Sequence, residues 1–535
     1  MGNSRVSAMD YKVCILAAGV GSRMGTVSDH INKAILPVNN KAAISYIVEK
    51  FPEDQEFVIA VGHKKDTVVD YLLLAYPSRK FTFVEVDKYS GPGTGPGYSI
   101  LQCADSLQCP FIFFAADTII LEDVPPPEHN WMGIAPVKET EPYCTVKIKN
   151  NLIYQLDNKI KTDNRFAFIG LGGVHDYVDF FDALKKDQKG ESGEIQVTTG
   201  FARLIEKRLV PIGFTWFDTG TLANYTDTNK SFSGGTQRFD FSKSDEFLYF
   251  VNNRVIKFFA DESIARKRQE RAKKALKGLS PEIEGHRGHF YSYAMVPGQT
   301  IYSALSPGVV TDFLAWAKAH LWKPVSLTAE QTKEFARATK DFYQAKTKKR
   351  LKTFHEKLDM KTEPAFINGI SVPTAAELLD KVDWDHITRG TPTNFHGDLQ
   401  FDNVLVSKDA TTGQPTFVLL DWRHDFGGMT DAGDVYYDLA KLYGGMTLSY
   451  PLIKEGMFSS DVSGQHANYH YFIKSDLADA REQYERFLIE NGYDLAKVKV
   501  LTALIFLNMA PLHNDPFDTM LHSLGRNMLH KALAA

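Results

Sequence analysis

Four apolar runs, YKVCILAAG, EFVIAVG, KFTFVEV and CPFIFFAAD, punctuate the first 120 residues, and each gives way to a loop and a helix-like stretch. The runs are continuously apolar instead of alternating, which is the signature of strands buried on both faces. Such strands form a mostly parallel sheet wrapped by helices. In that architecture ligands collect at the carboxyl ends of the strands. The pattern persists from residue 11 to about residue 225, so an α/β domain is expected there.

The character changes at the polar stretch NKSFSGGTQRFD, and a domain boundary is expected near residue 235. Beyond it come two β-like runs, EFLYFVNN and RVIKFF, a charged helix from about Asp261 to Leu279, and a third run, HFYSYAMV. The remainder reads as helix, interrupted by NVLVS and TFVLLD. At 535 residues the chain exceeds one hydrophobic core. The reading is a domain over residues 1–235 and a bilobal α+β domain over 236–535. Its small lobe would span about 236–300 and its helical lobe about 301–535.

The net charge is −4 and carries no basic block, which argues against a nucleic-acid partner. The four cysteines form no CxxC pair and have no histidines at ligand spacing, so no zinc site is expected from them. Scattered thiols fit a reducing, cytoplasmic setting. No charged-then-apolar leader and no uninterrupted bilayer-length apolar run is seen, so membrane insertion is not expected. The start MGNSRVS shares Met-Gly with myristoylation signals but reads as a plain flexible start. The oligomeric state is left open, a homo-oligomer included.

The first strand runs into Ala18-Gly19-Val20-Gly21-Ser22-Arg23-Met24-Gly25. A glycine-rich turn after a strand lets backbone N–H groups approach phosphate oxygens. Lys33, in KAILPV, would add positive charge there. The LAAGVGSRM and KAILPV pair resembles the sugar-phosphate nucleotidyltransferases. That resemblance extends over roughly 210 residues and implies a Rossmann-like domain. It makes Ala18, Gly19, Gly21 and Ser22 nucleotide contacts, Arg23 the triphosphate clamp and Lys33 its partner. Gly93, Thr94 and Gly95, in GPGTGPG, would cradle base and ribose. Asp117 and Asp218 would hold Mg2+, Glu194 would meet the acceptor's hydroxyls, and Lys159 its phosphate. Two departures stand out: Asn158 separates Asp157 from Lys159, and Ala116-Asp117 replaces the family's Gly-Asp. On the residues alone, Asp117 and Asp218 serve equally as helix N-caps, and the glycine run as an ordinary loop.

In the second half, His396-Gly397-Asp398 is followed by Asp402-Asn403 and later by Leu419-Leu420-Asp421-Trp422. An Asp, an Asn five residues on and an Asp closing a strand form a kinase-type arrangement. The set resembles the aminoglycoside phosphotransferase and choline kinase superfamily, which has a protein-kinase-like fold. The resemblance implies Asp398 as catalytic base, Asn403 and Asp421 as metal ligands, and His396 as a support. Asp425-Phe426-Gly427 spells DFG but falls four residues past the strand end, so Asp425 is read as a loop residue or acceptor contact. Upstream, Lys257 would pair the ATP phosphates, with Glu270 as its ion-pair partner. Both also read as ordinary solvated surface.

Together the two resemblances imply a bifunctional enzyme using Mg2+, ATP and a second NTP (CTP, GTP, UTP or dTTP). A small hydroxyl compound would be phosphorylated and its phosphate then coupled to a nucleotide. A sugar phosphorylated at its anomeric carbon would yield an NDP-sugar for surface polysaccharide. Choline or ethanolamine, the alternative, would yield a CDP-alcohol and would call for aromatic residues around the ammonium. A third reading makes one domain a degenerate binding module.

Overall fold

The computed structural model describes residues 10–187, 193–233, 245–360, 362–409 and 411–534. The backbone gathers into two compact units. The first holds Met1–Gly235, Ser242–Glu262 and Gly285–Ser292; the second holds Thr236–Phe241, Ser263–Glu284 and Tyr293–Ala535. The expected boundary at 235/236 lies outside the described residues.

The first unit is built on a nine-stranded mixed sheet. Its strands are β1 (Lys12–Ala17), β2 (Glu56–Val61), β3 (Lys80–Glu85), β4 (Phe111–Ala115), β6 (Trp131–Pro136), β7 (Cys144–Lys149), β8 (Leu152–Asn158), β9 (Phe166–Val174) and β10 (Val210–Gly213). A two-stranded ribbon adds β5 (Thr118–Ile120) and β11 (Trp216–Asp218). The main order is β8-β7-β9-β4-β1-β2-β3, with β6 beside β9 and β10. Strands β4, β1, β2 and β3 run parallel, whereas β9 returns antiparallel to β4.

The apolar runs are continuous because each strand feeds two cores. Val13, Ile15, Phe57, Ile59, Ile112 and Phe114 join one buried cluster; Cys14, Val58, Ala60, Phe111 and Phe113 join another. Alternate residues of a strand point to opposite faces, so both sets must be apolar. Each such side chain contributes about 1.5–3 kcal/mol when fully buried. The strand order reverses between β1 and β4. The loops leaving their carboxyl ends therefore diverge and open a crevice.

The hairpin β12 (Glu246–Val251) and β13 (Arg254–Phe259) forms a four-stranded sheet with β14 (Gly285–Arg287) and β15 (Phe290–Ala294). The sequence reading assigned these strands to the second domain's small lobe, but β12, β13, β14 and β15 through Ser292 group with the first unit. Aromatic packing is the cause: the Tyr249 ring lies 4.8 Å from that of Tyr71, and its hydroxyl donates to the Ile35 carbonyl at 2.9 Å. Phe250 N–H also donates to the Asn40 carbonyl at 2.7 Å. Local patterning foretold the strands; only tertiary packing decides which core takes them.

The second unit is mostly helical. The helices that matter below are α1 (Glu262–Lys273), which enters the unit at Ser263, α2 (Lys346–Lys357), α3 (Val435–Thr447), α4 (Leu495–Met509) and α5 (Phe517–Ala534). The hairpin β16 (Val404–Lys408) and β17 (Pro415–Leu419) carries the Asp398 to Asp421 segment. Leu495–Leu512 is long and apolar enough to cross a membrane by length and composition, at mean hydropathy 1.6, although Lys497 and Lys499 interrupt its apolar run. Its apolar side chains instead fill the core, with Val498, Leu501, Leu504 and Leu507 all at most 2% exposed.

Candidate functional sites

Strand pairing brings the two predicted acids of the first unit together. Asp117 sits between β4 and β5, and Asp218 closes β11, which pairs with β5 so that Asp218 lies opposite Thr118. Thr219 fastens the corner by donating its N–H and hydroxyl to the Asp117 carbonyl, at 2.9 and 3.1 Å. Neither aspartate is a helix cap, since Thr221 caps the helix Leu222–Phe232 that follows.

Gly220 marks the point of convergence. A Cβ at this position would lie 3.0 Å from both Asp117 Oδ2 and Asp218 Oδ1, and 3.6 Å from a guanidinium nitrogen of Arg23. The Gly220 N–H donates to Asp218 Oδ1 at 2.7 Å, and Asn224 Nδ2 donates to Asp218 Oδ2 at 2.6 Å. Lys33 Nζ reaches Asp117 Oδ2 at 2.5 Å. Asn32 aims that lysine: its buried amide donates to the Ala17 and His63 carbonyls and accepts from Ala34 N–H.

The electrostatics of the two acids differ. Burial pushes the Asp117 carboxyl up, but the Lys33 ammonium brings it below its ordinary value. Burial and then the Asp117 charge hold the Asp218 carboxyl above its own. Two carboxylates facing one small space favour a further cation. The oxygen donors around the side-chain-free Gly220 fit a hard divalent ion such as Mg2+.

The glycine-rich turn expected to meet the nucleotide follows β1 directly. Ala18 is buried at the end of β1, Gly19 is exposed with open space beside it, and Gly21 adopts φ 71° before the 3-10 turn that carries Ser22 and Arg23. The second glycine run is more than an ordinary loop, for it zips onto the Gly193-Glu194-Ile195 segment. Gly93 N–H donates to the Gly193 carbonyl at 2.6 Å, Ile195 N–H to the Thr94 carbonyl at 2.8 Å, and Gly97 N–H to the Ile195 carbonyl at 2.8 Å. Gly95 has φ 112°, and a side chain there would press on Ile195 O at 2.8 Å and Glu194 Cβ at 3.0 Å. Glu194 thus stands exposed beside Gly93-Thr94-Gly95. Lys159 is exposed after β8, its N–H bound to the Tyr143 carbonyl at 2.9 Å, and the Tyr143 ring packs edge-on to Trp216, two residues from Asp218. Sequence reasoning missed Asn32, Tyr143 and Asn224, which carry no motif.

In the second unit the tight segment from His396 to Asp421 is held by backbone bonds. His396 Nδ1 accepts from Asp398 N–H at 3.1 Å, while Nε2 lies 2.7 Å from the Leu420 carbonyl, so Nε2 carries the proton. Burial keeps this imidazole neutral, its pKa pulled down to about 4. Asn403 Nδ2 donates to the Asp398 carbonyl at 2.8 Å, and Leu420 N–H donates to the Asn403 carbonyl at 2.8 Å. Asp398, Asn403 and Asp421 are thereby joined in one unit. Asp438 braces it from α3 by accepting His396 N–H and Gly397 N–H at 2.7 and 2.6 Å.

Lys441 Nζ, one turn along α3, lies 2.6 Å from Asp398 Oδ1. Burial pushes the Asp398 carboxyl up, but Lys441 brings it below its ordinary value. On α1 the structure departs from expectation. Glu270 is exposed, and the buried face presents cations. Lys267 pairs with Asp425 at 2.7 Å, Arg268 pairs with Asp421, and Arg271 donates to the Phe395, Arg423 and Thr430 carbonyls. Asp425 is therefore tied to α1. Helix rotation decides this: Lys267 and Arg271 lie one turn apart with Arg268 beside them, while Glu270 falls on the outer side. Lys257 is a buried position on β13, in the first unit.

A glycine-rich turn after a strand, with two clustered carboxylates beside Lys33 and Arg23 at one end of an α/β sheet, is the class of site that can hold an anionic, metal-bound ligand. Residues 13–123 match the family model described as MobA-like NTP transferase domain. Over 230 residues the chain is 24% identical to the bifunctional protein GlmU of Methanococcus vannielii, covering 41% of this chain and 54% of that protein. The GlmU of Methanocaldococcus jannaschii is 25% identical over 226 residues, 40% of this chain and 53% of that one. The chain thus spans about half the length of the curated relatives it matches. Among solved structures, UDP-glucose pyrophosphorylase complexed with UDP-glucose aligns over 42% of this chain and all of that one, at TM-score 0.37 and 21% identity. The inositol-1-phosphate CTP transferase of T. maritima aligns over 43% of this chain and 98% of that one, at TM-score 0.35 and 13% identity. The N-terminal region is a mixed α/β nucleotidyltransferase domain with a parallel-rich sheet.

Proposed function

We propose that the chain is a bifunctional enzyme. Its second unit phosphorylates a small hydroxyl compound, and its first couples that phosphate to an NTP to give an NDP-linked product, an NDP-sugar in the favoured reading. The observation that carries the first activity is the convergence of Asp117, Asp218 and Arg23 on Gly220. A phosphate oxygen of the acceptor attacks the α-phosphorus, the α–β P–O bond breaks and pyrophosphate leaves. Backbone N–H groups of the Gly19 to Ser22 turn, with Arg23 and Lys33, meet the charge of the leaving group. Glu194 and Lys159 would contact the acceptor. Mg2+ held by Asp117 and Asp218 would supply Lewis-acid stabilisation.

In the second unit, Asp398 would take the acceptor hydroxyl proton as that oxygen attacks the γ-phosphorus of ATP and ADP departs. Asn403 and Asp421 would hold Mg2+ there through their oxygens. The acceptor reading is favoured by charge. Lys441 and Lys346 both feel the Asp398 charge, and Lys346 also feels Arg423, Arg350 and Lys441. Lys346 and Arg423 both lie over the Phe342 ring, at 4.0 and 5.0 Å from its centroid. Such surroundings suit a hydroxyl-rich or anionic acceptor and oppose choline or ethanolamine.

The test is to follow, in Asp218→Ala and Asp398→Ala, ADP release with ATP and a panel of sugars and amino alcohols, and separately pyrophosphate release with each NTP and the ready-made phosphorylated forms of those compounds. Each substitution should remove one release and spare the other. Loss of both in either variant, or of neither, would defeat the two-site proposal.

A further inference from the structure

The second unit holds a cluster that neither activity uses. His355 ends α2, Glu363 follows in the next loop, and His522 lies on α5; their ligating atoms all fall within 4.8 Å of one another. Glu363 Oε1 is 2.7 Å from His355 Nε2 and 3.5 Å from His522 Nε2. Yet both nitrogens are buried and neither makes a well-formed hydrogen bond, although Glu363 Oε1 lies beside each. A buried imidazole nitrogen left this way is costly unless something else occupies the space between. His522 is 3% exposed, so water does not relieve it from outside.

The rest of the geometry suits ligation. Glu363 Oε2 is already taken by Ala375 N–H at 2.8 Å and Arg526 Nε at 3.0 Å, which leaves Oε1 turned to the histidines. Arg526 is itself anchored by the Pro364, Val372 and Pro373 carbonyls. A carboxylate with one oxygen fixed by neighbours and the other free is a well-oriented monodentate ligand. The Phe354 ring stacks on His522 at 4.6 Å and 18°, which fixes the imidazole plane. The cluster borders a cleft of about 740 Å3 that is also lined by Met360, Ser371, Thr374, Glu377 and Gln465.

We propose that His355, Glu363 and His522 form a binding site for a divalent transition-metal ion of the Zn2+ class, with a fourth position open to the cleft. Two imidazoles and a carboxylate are a borderline donor set that suits Zn2+ and not Mg2+. Tetrahedral ligands about 2.0–2.1 Å from zinc stand roughly 3.4 Å apart. The observed separations, none above 4.8 Å, need to change by at most about 1.4 Å. The simplest competitor is a metal-free charge cluster in which Arg526 alone balances Glu363.

The full chain, stripped with chelator and dialysed, is titrated with ZnCl2 and its zinc content measured after a second dialysis. One zinc should remain per chain, and His355→Ala should weaken binding by at least about 100-fold. His355 is one-third exposed at its side chain, so this variant should fold, and an unchanged melting transition of the metal-free second unit would verify that. Co2+ in place of zinc should give visible d–d absorption that the variant lacks. Absence of stoichiometric zinc, or equal retention by wild type and His355→Ala, would overturn the site.

Discussion

Lys441 Nζ rests 2.6 Å from Asp398 Oδ1, one α3 turn beyond Asp438, which accepts the His396 and Gly397 N–H groups. Helix α3 therefore does two jobs for the proposed catalytic base. It fixes the loop through one side chain and sets the base's charge through another. Replacing Lys441 by Met should raise the Asp398 pKa, since its depression has Lys441 as the main opposing cause to burial. A carboxylate must be ionised to accept a proton, so activity present above the folded pKa is lost as pH falls through it. The acid limb of ADP release should move to higher pH in Lys441→Met, while Lys441→Arg keeps much of the wild-type profile. Asp398→Asn should lower kcat about 10²–10⁴-fold with little change in stability.

Gly220→Ala tests the first site without touching a charged group. The new methyl would press within 3.0 Å of oxygens on both Asp117 and Asp218. Displacement of catalytic groups by about an ångström costs on the order of 100-fold in rate. Pyrophosphate release should fall by about that factor, with ADP release and melting temperature unaltered. A full-rate Gly220→Ala enzyme would remove Gly220 from the centre of the site.

What the sequence made legible follows from how local each signal is. Asp117 and Asp218 end apolar strands, and the Gly19 to Arg23 turn follows one, so neighbours in the chain announce them. Asn224 and Lys441 touch the acids just as closely, and Asn32 stands behind Lys33, but none of the three carries a motif of its own. Helix α1 shows the limit best. Its composition is charged throughout, and only its rotation in the fold decides that Arg268 faces Asp421 while Glu270 is exposed. The β12–β13 hairpin was legible as strands, but Tyr249 against Tyr71 settled which unit owns it.

Gly173→Ala probes the first unit's core. Its missing Cβ position lies 2.0 Å from Trp131 Nε1, and Trp131 is fully buried. The indole cannot move without disturbing the sheet, so overpacking should cost about 1–3 kcal/mol or more. Chemical denaturation followed by tryptophan fluorescence should show a lower midpoint for the first unit's transition. No change in the midpoint would mean that β9 and β6 shift apart at little cost.

Lys346 gives the pH prediction. Burial first, and then Arg423, Arg350 and Lys441, pull its ammonium down from 10.5 to about 7. A lysine whose folded pKa is depressed imposes its full penalty below about pH 7, where both states are protonated. The penalty is relieved as pH rises toward 10.5, because there the unfolded chain binds the proton and the folded one does not. Wild type should therefore gain stability relative to Lys346→Met between those two values, as read by urea midpoints at several pH values. If the neighbouring cations hold an anionic acceptor, its KM should rise above about pH 7 in the wild type, and that dependence should be blunted in Lys346→Met. An unchanged KM across that range, with the stability trend intact, would confine Lys346 to a structural role.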